Sequence, residues 1–138
     1  MRTSPATSSV KATPSSATHY KRGRALEYRV QESLRSQGYL VIRSSGSHGP
    51  ADLVALRPHP DARKKAPDVL LVQCKRNGRM SPGERSELAW IAERLNCRAA
   101  MVSSRLETIL PTGGRRLVLD WFVVRADGTM AVMHGEGA

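Results

Sequence analysis

Aromatic side chains are scarce in this sequence: one Phe, two Trp and three Tyr among 138 residues. That argues against a face of stacking rings, the usual platform for unpaired bases. Cysteine is nearly absent as well. Cys74 and Cys97 lie far apart, with no His or other Cys clustered beside them, so neither a zinc site nor a disulfide framework is encoded. No apolar run approaches the ~20 residues of a membrane helix. The first residues lack the apolar stretch of a secretion signal. The expectation is a cytoplasmic protein with no membrane partner. Acids are few: 12 Asp and Glu against 22 Lys and Arg, a net charge of +10. A small domain with that excess usually meets a polyanion, most often nucleic acid.

What is present suffices for one core, since 40% of the residues are hydrophobic. Residues 1–18 are Ser, Thr, Ala and Pro with almost no large apolar side chain, and read as a disordered tail. Residues 19–138 then form the domain. From Lys21 to Gln37 the pattern turns helical, with Leu26, Val30 and Leu34 at four-residue spacing and Gly38 as a stop. Tyr39 to Arg43 reads as a short strand, and Ser44 to Pro50 as a loop. Asp52 heads a second strand ending at Leu56. The stretch from Arg57 to Asp68 holds three prolines and reads as an excursion without core residues. Val69 to Lys75 is an apolar strand that turns polar at its end, and Asn77-Gly78 marks a turn.

Ser81-Pro82-Gly83-Glu84 carries the strongest helix start in the chain. Ser81 can cap, Pro82 suits the first helical position, and Glu84 completes a capping box. Leu88, Ile91, Ala92 and Leu95 supply that helix's expected buried stripe. Ala99 to Val102, Leu117 to Val124 and Met130 to Met133 read as further strands, with Gly113-Gly114 as a break. The predicted class is α/β, a mixed β-sheet flanked by helices.

Gln73 and Lys75 alternate, so on a strand they point the same way. If their strand pairs with the one headed by Asp52, an acid, an amide oxygen and a lysine converge. Such a set suits metal-assisted phosphodiester hydrolysis. The acid and amide oxygens hold a divalent ion, and the lysine stabilises charge or tunes the attacking water. Glu27 sits at the border of the first helix's buried stripe and joins the set if that helix leans across the sheet. Ser45 or Ser47 can hydrogen-bond a phosphate, and Gly46 and Gly49 give their loop freedom. His48 has two readings, a proton donor to the leaving group or a phosphate contact. Lys21, Arg22, Arg24, Arg43, Arg76 and Arg79 flank the proposed site from separate elements, a distribution suited to positioning DNA by its phosphates.

These residues resemble the PD-(D/E)XK nuclease superfamily, and within it archaeal-type Holliday-junction resolvases and their phage relatives. The likeness runs from about Lys21 to Val124. Lys21-Arg22-Gly23-Arg24-Ala25-Leu26-Glu27 is similar to the family's basic first helix ending in an acidic ligand. Tyr39 to Ser47 resembles its first strand and serine loop. Pro50-Ala51-Asp52-Leu53-Val54-Ala55 resembles the stretch around its metal aspartate, and Gln73-Cys74-Lys75 falls where it carries Glu-x-Lys. Two departures stand out. Ala51 intervenes between proline and aspartate, and Gln73 replaces an acid, as in some related restriction-type nucleases.

The resemblance implies a restriction-endonuclease-like core and a homodimer that cuts four-way DNA junctions. It implies Mg²⁺ (or Mn²⁺) held by Glu27, Asp52 and Gln73, catalysis by Lys75, and a serine loop that reaches the phosphate. The alternatives are a restriction- or repair-type duplex nuclease, or a catalytically weak DNA-binding protein of the same fold.

Overall fold

The structure, a computed structural model, describes residues 16–44 and 49–133, with side chains from residue 21 onward. Helix α1 spans Ser16–Ser36, followed by strands β1 (Leu40–Arg43), β2 (Leu53–Arg57) and β3 (Asp68–Cys74). Helix α2 (Pro82–Arg94) precedes β4 (Arg98–Ile109), β5 (Gly114–Val124) and β6 (Met130–Val132). The six strands form one mixed sheet in sequence order. Only β3 and β4 pair in parallel, with Leu70 opposite Arg98 and Cys74 opposite Val102. A parallel pair needs a long crossover, and α2 supplies it. The fold is therefore α/β, a six-stranded mixed sheet with two helices among the described residues.

Each helix buries its apolar stripe on one face of the sheet. On α1, Leu26, Val30 and Leu34 pack with Leu53, Ala55, Leu70, Val72, Ala100, Val102 and Trp121. On α2, Leu88, Ala89 and Ala92 pack with Leu71, Ala99, Met101 and Val124. Strands β3 and β4 serve both cores, which is why their sequences are continuously apolar instead of alternating. Cys74 packs on the α1 side as a small core residue.

The α2 start is as its sequence predicts. The Ser81 hydroxyl accepts from the Glu84 amide at 3.1 Å, and the Glu84 carboxylate accepts from the Ser81 amide at 3.0 Å. The preceding turn needs Gly78, whose φ is +71°.

Four expectations are corrected. The helix starts at Ser16, so Ser16, Ala17 and Thr18 belong to α1 and not to the tail. Pro14 is the last proline before it, and no proline separates Ser16 from Lys21. Leu95 is 63% exposed because α2 ends at Arg94 and Leu95 is its C-cap, while Ala89 joins the buried stripe instead. The excursion between β2 and β3 does end in a core residue. Asp68 is buried and accepts from Tyr39 Oη, Arg57 Nε and the Arg98 guanidinium. Finally, β4 and β5 run well past their apolar segments into a charged hairpin. There Glu107 lies opposite Arg116, and Arg105 bonds Asp120 diagonally. Cross-strand ion pairs stand in for apolar alternation along this arm.

Candidate active site

The site forms where β2 and β3 run side by side. Leu53 pairs with Val72, so Asp52 stands beside Gln73. The Asp52 amide donates to the Val72 carbonyl at 2.8 Å, and its Oδ2 accepts from the Cys74 amide at 2.8 Å. On its other side the Asp52 carbonyl accepts from the Ser44 amide at 2.9 Å. The Asp52 backbone is thus held from both sides, and its carboxylate by the Cys74 amide of β3.

The electrostatics locate the partners. Burial pushes the Asp52 carboxyl above its ordinary range. The Cys74 amide opposes that shift, Glu27 adds to it, and Lys75 and Arg43 oppose it. Burial likewise drives the Cys74 thiol up, helped by the negative charges of Asp52 and Glu27. Helix α1 therefore does bring Glu27 into the field of Asp52. Glu27 Oε1 accepts from Arg43 Nε at 2.7 Å, with both side chains partly buried.

Gln73 presents a buried Oε1 with no hydrogen-bond partner among the described residues. A buried acceptor of this kind ordinarily has a partner. The Asp52 carboxylate in the field of Glu27, next to an unpartnered amide oxygen, forms a donor set fit for a hard divalent cation. Among the described residues no group of three His, Cys, Asp or Glu is placed for a metal, so a three-ligand site here would need the amide of Gln73.

Lys75 lies just past β3, its amide bonded to the Val102 carbonyl at 2.8 Å. Its Nζ donates to Glu84 Oε2 at 2.6 Å. Glu84 was legible in the sequence only as a cap. It uses one oxygen for the Ser81 amide and the other for Lys75. The hydrogen bond from Lys75, then that from the Ser81 amide, hold its carboxyl below the usual range. The start of α2 thereby aims the lysine.

The basic residues divide. Lys21, Arg22, Arg76 and Arg79 are exposed. Arg43 is engaged with Glu27, and Arg24 donates to Tyr28 Oη at 3.0 Å with its guanidinium over that ring. Arg43 thus belongs to the acid cluster more than to an outward phosphate face. Ser45, Ser47 and His48 lie outside the described residues. Among the described residues no helix is long and apolar enough to cross a membrane. No protein-family model matches this sequence, and no curated protein matches it.

Proposed function

We propose that this chain is a divalent-metal-dependent DNA endonuclease with a restriction-endonuclease-like core, acting as a homodimer on four-way junctions. The observation that carries the reading is the arrangement at the β2–β3 end. A backbone-clamped Asp52, an unpartnered Gln73 Oε1 and a lysine held by Glu84 meet there within the field of Glu27. Asp52, Gln73 and Glu27 would hold Mg²⁺ or Mn²⁺, which supplies Lewis-acid charge and lowers the pKa of water. Lys75 stabilises negative charge at the phosphate or orients the attacking water. Arg43 offsets the charge of Glu27 and keeps the helix acid turned to the sheet. Ser45 and Ser47 would contact the phosphate, and His48 would donate a proton to the leaving group or touch phosphate.

The net charge of +10 supports a polyanionic substrate, and the exposed Lys21, Arg22, Arg76 and Arg79 supply phosphate contacts around the site. The test is a nicking assay with Mg²⁺ on end-labelled four-way junction, nicked duplex and linear duplex. Cleavage confined to the junction is the expected result. Equal cleavage of all three would make the chain a general duplex nuclease, and binding without cleavage would leave a DNA-binding protein of this fold.

A further inference from the structure

Beside the candidate site, α1, the turn after β3 and the β4–β5 arm enclose a cavity of about 350 Å³. It lies within the ~300–1,000 Å³ range of small-ligand clefts. It adjoins the site along the chain, because Leu26 precedes Glu27 and Arg76 follows Lys75. Three guanidinium-bearing residues line it from three separate elements: Arg22, Arg76 and Arg105. Arg105 is committed to Asp120 at 2.9 Å and Glu107 at 3.1 Å. Arg22 and Arg76 have no hydrogen-bond or ion-pair partner among the described residues, and no carboxylate lines the cavity. The rest of the lining is mainly aliphatic, including Leu106, which is 60% exposed, and Leu117.

Two unpaired guanidiniums over an aliphatic floor suit a group that is anionic at one end and flat and weakly polar at the other. A duplex offers its phosphates on the outside and keeps its bases stacked, so it fills only the mouth of such a cavity. An unpaired nucleotide fills both parts. Turning a base out of the stack costs a few kcal/mol in a duplex and least where the base is already unpaired.

We propose that this cavity receives one deoxynucleotide turned out of the DNA stack, its phosphate on Arg22 and Arg76 and its base against Leu106 and Leu117. The inference rests on the DNA reading above and deepens it. It places recognition of a branch point within one protomer, using the β4–β5 arm as a wall. The aliphatic floor does what stacking rings do elsewhere, in a chain that has few rings.

The experiment uses the full chain with labelled leucine methyl groups, titrated with dTMP, thymidine and inorganic phosphate. dTMP should move the Leu106 and Leu117 methyl signals, and neither half alone should match it. In the Arg22→Ala/Arg76→Ala double variant the dTMP affinity should fall about a hundredfold or more, at about tenfold or more for each of two charge-assisted hydrogen bonds lost. Unmoved methyls, or equal shifts in the double variant, would overturn the proposal.

A second arm measures binding in an Asp52→Asn background, at about 150 mM salt where screening is strong. The probes are a duplex with one unpaired nucleotide and a blunt duplex of equal length. Leu106→Asn, a change at an exposed side chain, should erase the preference for the unpaired nucleotide while blunt-duplex binding stays. Equal loss on both probes would reduce the cavity to a general phosphate contact and overturn the proposal. Neither arm needs cleavage. An inactive chain whose methyls respond to dTMP would sink the nuclease reading alone, and an active chain whose methyls stay still would sink the cavity alone.

Discussion

Gln73 is the residue whose chemistry is most exposed to test. An amide oxygen can coordinate a hard cation but brings no charge, so the set of two acids and an amide should bind Mg²⁺ weakly. Gln73→Glu should lower the Mg²⁺ concentration for half-maximal cleavage. Gln73→Ala should raise it by roughly tenfold or more, the scale seen for loss of even an outer partner of a metal site. A Gln73→Ala protein that titrates like the parent would remove Gln73 from the ligand set. Glu84 invites a second substitution. Glu84→Gln keeps a side chain that can complete the capping box, so the melting temperature should move by no more than about a degree or two. It removes the charge that anchors Lys75, so turnover should fall by about tenfold or more with little change in DNA affinity. Activity and melting temperature falling together in proportion would confine Glu84 to the cap. Asp52, Gln73 and Lys75 were legible because strand alternation fixes their faces. The second role of Glu84 was not, because its spacing marks only a helix start, and the 2.6 Å contact with Lys75 needs the turn between β3 and α2 folded.

At the scale of elements, the end of the sheet remote from the site is tied by one carboxylate. Asp68 opens β3 and accepts from Tyr39 before β1, Arg57 at the end of β2 and Arg98 at the start of β4. Burial alone would raise its pKa. Arg98's charge and the hydrogen bonds from Arg57, Tyr39 and Arg98 outweigh that and hold it below the usual carboxylate value. A carboxyl depressed in the folded state contributes stability above its unfolded pKa of about 3.9, and that contribution is lost as pH falls through the folded value. Asp68→Asn should therefore cost about 1–3 kcal/mol at neutral pH, toward the lower end because Arg98 is 44% exposed. The gap between variant and parent should narrow below about pH 4 in denaturant titrations; a gap unchanged down to pH 2 would contradict the ion-pair account. Helix α2 could be read from its cap and β3 from its apolar run. The β4–β5 arm could not, since its outer half follows no apolar period and is held by Arg105–Asp120 and Arg116–Glu107 pairs that exist only once the strands are in register. Asp68 was hidden for the same reason, its partners being up to 30 residues away in sequence.

For the whole molecule, a charge of +10 should bind any DNA at low salt, and that binding should weaken steeply as salt rises. Selectivity has to come from the cavity within each protomer or from the geometry of the pair. A twofold dimer presents two sites to symmetry-related phosphates of a junction, so the expected products are symmetric nicks in opposing strands. At about 150 mM salt a junction should remain bound in excess linear duplex, and linear duplex competing equally would favour the general nuclease. The α/β layering was visible in the sequence because each helix carries one stripe and the central strands are apolar throughout. How two copies would meet is not encoded in any such period. The most direct measurement is Mg²⁺-dependent nicking of an end-labelled four-way junction by the parent and by Asp52→Asn, with DNA binding followed in parallel. The account expects nicks from the parent, none from Asp52→Asn, and nearly equal binding by both. Normal turnover by the Asp52→Asn protein would contradict it.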